Sequence, residues 1–203
     1  MFVNEKYWDA VLNIKTDGFS EFAPTAHYFR YEATSYRVLK LLIEHLPIKK
    51  GDRFVDFGCG KGRTLFFIHY FLQIPAIGVE MDAVLFRHLE ANVERYFRKH
   101  QRNRAEIVLY HGFAEEYFID PTETIFYFFN PFSLQIFIQV VHNILQSYLD
   151  NRRNMFIVLY YPTRDYIYFL EHQTPFQLEK EIPVTPLYHS DKNERILIYR
   201  LFG

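Results

Sequence analysis

The chain has 203 residues, 49% hydrophobic and 23% charged, enough to bury the core of one domain and too apolar for a disordered segment. Its 23 Lys and Arg stand against 24 Asp and Glu, so no basic excess advertises a nucleic-acid partner. A single cysteine, Cys59, excludes an intrachain disulfide and a cysteine-rich zinc site.

The start, Met1-Phe2-Val3-Asn4-Glu5-Lys6-Tyr7-Trp8, lacks the basic-then-apolar order of a secretory signal. Two apolar stretches, 64–79 and 124–145, are too interrupted by His69, Gln73 and Pro75, and by Asn130, Pro131, Gln135 and His142, to span a membrane. A soluble cytoplasmic protein is the expectation.

In chain order, a short helix is predicted over 7–12, followed by a loop around Gly18 and Pro24. Val38, Leu41, Leu42 and Leu46 keep helical spacing within 32–46, ended by Pro47 and Gly51. Residues 53–57 read as a buried strand, 62–72 as a helix stopped by Pro75, and 76–79 as a second strand ending at Glu80. Asp82 is the expected N-cap of a helix to about residue 100. Strands at 106–110, 124–129 and 154–160 alternate with helices at 133–149 and 163–172. Two last strands, 176–184 and 195–202, can pair across Ser190-Asp191-Lys192-Asn193. Strand–helix alternation of this kind predicts a mostly parallel sheet between helices.

Ligands bind such sheets at the carboxyl ends of the strands. Here the first strand runs into Val55-Asp56-Phe57-Gly58-Cys59-Gly60-Lys61-Gly62-Arg63. A phosphate loop needs Ser or Thr after its Lys, where Gly62 stands, and the dinucleotide fingerprint needs Gly where Arg63 stands. The segment instead has the form D-x-G-x-G-x-G, followed one strand later by Ile77-Gly78-Val79-Glu80.

This pairing resembles motif I and the strand-two acid of the class I S-adenosylmethionine-dependent methyltransferases. The resemblance implies a Rossmann-like α/β fold, five parallel strands plus a C-terminal antiparallel pair, with helices on both faces. It implies a catalytic domain over 31–203, an N-terminal extension over 1–30 that can lid the site, and S-adenosyl-L-methionine as cofactor. Asp56 is then expected to orient the methionine amino group. Gly58, Cys59, Gly60 and Gly62 form the turn beneath the methionine moiety. Glu80 takes the ribose hydroxyls and Met81 packs against the adenine. Where the family often carries an adenine-binding acid, this chain has Phe113 in His111-Gly112-Phe113-Ala114. Stacking on Phe113 or a backbone contact substitutes, or Glu115 or Glu116 shifts into the role. Tyr31 and Thr34 are expected contacts from the segment before the first long helix.

On the acceptor side, Asn130-Pro131-Phe132 ends the fourth strand and partly matches the [D/N]-P-P-[Y/F] motif of amino methyltransferases, lacking its second proline. The resemblance puts this triplet at the reaction centre, Asn130 accepting from an N–H group and Phe132 packing on the acceptor. The same residues also suit a strand end and helix start. No H-E-x-x-H or close histidine pair suggests a metal, and His111 reads as a loop residue near the cleft. The basic run 95–104 reads as the solvated end of a helix. The expected activity is methyl transfer to a nitrogen acceptor on a protein or small molecule. A cofactor-binding protein without transfer activity shares the glycine turn, and a nucleotide-dependent oxidoreductase is the remoter alternative.

Overall fold

The computed structural model of the chain describes residues 4–18, 27–101 and 106–203. The loop expected around Pro24 and the basic residues Arg102 and Arg104 lie outside the described residues.

β1 (Phe54–Phe57), β2 (Ala76–Glu80), β4 (Ile125–Phe128) and β5 (Met155–Tyr160) are buried at every position. That is the pattern of parallel strands covered on both faces. With β3 (Ile107–His111), β6 (Gln177–Pro183) and β7 (Arg195–Leu201) they make one seven-stranded sheet in the order β3-β2-β1-β4-β5-β7-β6. Strands β1 to β5 pair in parallel, and β7 runs antiparallel between β5 and β6. The terminal pair expected from the sequence therefore closes one edge. β6 carries exposed Glu179, Lys180 and Glu181 and a register shift after Leu178, features that blunt an edge strand.

Successive strand residues alternate between the two layers. Val55, Phe126, Phe128 and Ile157 face α5 (Leu134–Asp150) and α6 (Arg164–Gln173). Phe54, Ile125, Tyr127 and Val158 face α2 (Tyr36–His45). α1 (Glu5–Leu12), α3 (Arg63–Leu72) and α4 (Ala83–Lys99) share a third cluster built on Leu12, Phe66, Phe67 and Leu89. No described helix is long and apolar enough to cross a membrane.

Most boundaries follow their caps. Asp82 accepts from the Val84 and Leu85 N–H groups and starts α4 as expected. The helix expected over 32–46 begins only at Tyr36, capped by Ser35. Residues before it run extended because tertiary partners hold them: Tyr28 bridges Phe132, and the Thr34 hydroxyl lies 2.9 Å from that of Tyr127. The fold reverses direction between β1 and β4, so the carboxyl ends of these neighbours border a crevice.

Candidate functional site

After Phe57 the chain turns through Gly58 to Gly62 into α3. The Gly58 and Cys59 N–H groups both donate to the Val79 carbonyl, at 2.9 and 3.1 Å, which ties the turn to β2. Gly58 has φ +75°, and a Cβ there would lie 2.5 Å from Pro131 Cβ. Only glycine lets the two strand ends approach so closely. Gly62 packs against α4, where a Cβ would meet Leu89 and Phe66, and Cys59 turns its buried sulfur toward Gly78.

Glu80 joins the two turns. Its Oε2 accepts the Gly60 N–H at 2.8 Å and its Oε1 accepts the Asp82 N–H at 2.8 Å. Burial raises its pKa, while these N–H groups and that of Met81 act the other way by stabilising the charged form. Next to it, Asp56 is buried, and burial with the neighbouring Glu80 charge pushes its carboxyl well above the usual range. Among the described residues Asp56 has no hydrogen bond to hold it ionised.

These groups line a cavity of ≈ 330 Å³ at the carboxyl edge of the sheet. Asp56, Gly58, Cys59, Glu80 and Met81 form the wall on the β1–β2 side. Asn130, Pro131 and Phe132 form the β4 side, and Tyr31 and Thr34 stand on a strap that crosses over. The structure thus brings ten of the expected site residues to one cavity. Gly60 and Gly62 lie behind its wall. Phe113 is half exposed with its ring centroid 6.0 Å from that of Tyr28, and the cavity is lined beside it by Gly112 and Ala114. Glu115 accepts the Tyr28 hydroxyl at 2.7 Å, and His111 stacks on Phe86, outside the lining.

The strap is held by backbone. Phe29 donates to Pro131 O at 3.0 Å and Ser133 donates to His27 O at 2.8 Å. Farther along, Tyr31 donates its hydroxyl to Thr16 O at 3.1 Å. Asn130 sits in the left-handed region at φ +43°, and its Oδ1 is buried without a partner among the described residues. Phe132 is 1% exposed, wedged against Phe128 and Tyr28.

Other contributors were not anticipated. Tyr127 lies beside Asp56 in register between β1 and β4, a relationship only strand pairing reveals. Phe129 and Tyr161 extend the wall on the β4 side without any motif. Arg63 clasps the N-terminal segment: Nε donates to Thr16 Oγ1 at 2.7 Å, Nη1 donates to Glu5 Oε2 at 2.7 Å, and the guanidinium lies 4.8 Å over the Tyr36 ring. Its signal was its place as the charged first residue of the mostly apolar helix α3. In the basic run, Lys99 Nζ donates to the Ala10 carbonyl at the end of α1 at 2.9 Å, as a cation at a helix C-terminus does, and His100 Nε2 lies 3.0 Å from the Val11 carbonyl.

No family model matches the chain, and no curated protein matches its sequence. Solved structures do match its fold. A precorrin-6y C5,15-methyltransferase from Geobacter metallireducens GS-15 aligns with a TM-score of 0.61 at 16% identity, over 90% of this chain and 95% of that one. The glycopeptide N-methyltransferase MtfA, in complex with S-adenosylmethionine, aligns with a TM-score of 0.58 at 8% identity, over 85% and 96%. An RNA methyltransferase from Salinibacter ruber, in complex with S-adenosyl-L-homocysteine, aligns at 0.55 and 14% identity, over 83% and 92%. At these identities the likeness is one of fold. The chain has the seven-stranded, Rossmann-like fold of S-adenosylmethionine-dependent methyltransferases.

Proposed function

We propose that the chain is an S-adenosylmethionine-dependent methyltransferase acting on a nitrogen acceptor of a protein or small molecule. One observation carries this reading: the buried Glu80 carboxylate binds the Gly60 N–H of the glycine turn at the cavity wall, at the switch point of a methyltransferase fold.

The residues present fit the cofactor. Each Glu80 oxygen accepts one backbone N–H and keeps a lone pair, so the carboxylate can also take two ribose hydroxyls. Asp82 Oδ2, buried and unpartnered among the described residues, is a further acceptor in the same wall. Met81 offers an apolar surface to the adenine, and the backbone at Gly112 and Ala114 stands where an acidic side chain is lacking. Asp56 suits the ammonium of the methionine moiety, whose positive charge favours its ionised form against the effect of burial. Bound S-adenosylmethionine supplies an already activated methyl group on a sulfonium, so orientation of the acceptor contributes much of the rate. Asn130 would provide that orientation, its partnerless Oδ1 accepting from the acceptor N–H and aiming the nitrogen lone pair.

The test has two parts. Calorimetry should find binding of S-adenosylhomocysteine in the micromolar range, about −7 to −9 kcal/mol, and none of NAD. Labelled methyl transfer into a cell extract, separated into macromolecular and small-molecule fractions, should then label one fraction. Asn130→Gly, which keeps the left-handed backbone, should lower that transfer by about a hundredfold or more while cofactor affinity survives. Binding of NAD with no heat from S-adenosylhomocysteine would overturn the reading.

A further inference from the structure

Four non-glycine residues among those described have positive φ: Asn13, Gln73, Asn130 and Tyr161. Asn13 and Gln73 are helix C-caps, where such backbone is ordinary. Asn130 and Tyr161 cap no helix, and both line the cavity. At φ +52° a residue as bulky as Tyr161 is strained, and strain of this kind gathers at ligand clamps.

The two sit at the same level. Phe128 and Leu159 are the last paired residues of β4 and β5. One step on, the Phe129 and Tyr160 rings lie 4.5 Å apart, and one step farther come Asn130 and Tyr161. The Tyr161 hydroxyl donates to Asp191 Oδ2 at 2.6 Å in the β6–β7 connection, and the Tyr161 N–H donates to Arg195 O at 3.1 Å. Tyr161 thus lines the cavity with its hydroxyl tethered to the β6–β7 connection. Glu32 and Arg30 line the cavity from the strap, and the Glu32 charge acts on the neighbouring Tyr160 phenol.

We propose, on the reading given under Proposed function, that Tyr161 is an acceptor-positioning residue and that the acceptor is an alkylamine. Its slender chain passes along the Tyr161 and Phe129 rings and delivers its nitrogen to the Asn130 amide oxygen. A cavity of ≈ 330 Å³ is at the small end for ligand sites, which favours a narrow acceptor group. Aromatic surfaces attract an ammonium, and Glu32 adds an opposite charge. With a net charge of −1, the chain offers a polyanion no such attraction. In the step itself the ammonium first loses a proton to water. The nitrogen lone pair then forms the N–C bond as the methyl–sulfur bond breaks, its electron pair staying on sulfur. The alkylamine has two possible sources, a lysine side chain or a free polyamine.

Labelled S-adenosylmethionine should be offered with a peptide pool carrying one lysine among random residues, with spermidine, or with random RNA oligonucleotides. Label should enter the peptides or the spermidine. Tyr161→Leu should raise the KM for that amine by about tenfold, with S-adenosylhomocysteine affinity changed by less than about twofold. Tyr161→Phe, which keeps the ring, should recover most of the loss. Asp191→Ala loosens the tether from an exposed loop and should raise the same KM by about threefold, a check that holds even if Tyr161→Leu does not fold. Label confined to RNA, no label in any pool from a chain that binds S-adenosylhomocysteine, or an unchanged KM in Tyr161→Leu or Asp191→Ala would each overturn the inference. A chain that binds no S-adenosylhomocysteine fails the earlier reading instead.

Discussion

The ring of Tyr31 occupies the space a side chain at Gly60 would need: a Cβ built there lies 2.1 Å from Tyr31 Cε2. The strap thus rests directly on the glycine turn, and the two cannot be varied independently. Gly60→Ala should destabilise the chain by about 2 kcal/mol or more, since it meets both this ring and its own φ of +56°. Placed in a Tyr31→Ala background, the same change should cost only the backbone part, about 1 kcal/mol. Urea unfolding of the four proteins measures the coupling. Additive effects would mean that the strap does not bear on the turn.

Glu80 makes a second, sharper prediction. Glu80→Ala strands two backbone N–H groups, those of Gly60 and Asp82, and should cost about 2–4 kcal/mol of stability. Affinity for S-adenosylhomocysteine should fall about tenfold or more as the ribose acceptor is lost. Glu80→Gln retains one oxygen and should fall between. Unfolding and calorimetry on both variants decide it, and wild-type affinity in the alanine variant would remove Glu80 from the cofactor site.

Asp56 sets a pH dependence for binding. Burial, aided by the Glu80 charge, holds its carboxyl well above the usual range, so it stays protonated to a higher pH than an exposed aspartate. A ligand ammonium pairs with the ionised form. Affinity should therefore rise with pH through the raised pKa and level off above it. Asp56→Asn should lose most of this pH dependence in calorimetry across the acid range; a profile as steep as that of the wild type would assign the titration elsewhere.

The opposite edge of β4 carries a stability switch. Glu123 is buried, accepts from the Tyr117 hydroxyl at 2.6 Å and the Asp120 N–H at 3.0 Å, and is pushed by burial from 4.5 to about 7. Between those values the folded chain holds a proton that the unfolded chain releases, so stability should fall as pH rises through that window and stay flat above it. The loss should be about 1–3 kcal/mol between pH 5 and 8. Urea midpoints at the two pH values measure it, and Glu123→Gln should flatten the difference.

What could be read from residue order was whatever local pattern decides. Buried runs such as Ile77-Gly78-Val79 and Phe126-Tyr127-Phe128 are uniform enough to mark covered parallel strands. The glycine turn and Glu80 lie one strand–helix unit apart, so their meeting follows once the fold is known. Other features depend on partners far along the chain. The helical pattern from residue 32 yields to the Thr34–Tyr127 contact, 93 residues away. Tyr161 adopts a backbone its residue type disfavours, so propensity points away from its role. Nor does anything near Phe113 tell that its ring turns to Tyr28 while the neighbouring glycine and alanine line the cavity.

Arg63 has a consequence for the order in which the molecule can assemble. Glu5 and its guanidinium partner are 58 residues apart, and Thr16 is 47 away from it. During synthesis the first helix leaves the ribosome long before the residue that anchors it, so docking has to wait for the start of α3. A chain shortened to begin near residue 30 would keep every strand of the sheet, yet strip the Arg63 guanidinium of Glu5, Asp9 and Thr16 together. Truncations at this end therefore remove what anchors the start of α3, the helix that follows the glycine turn.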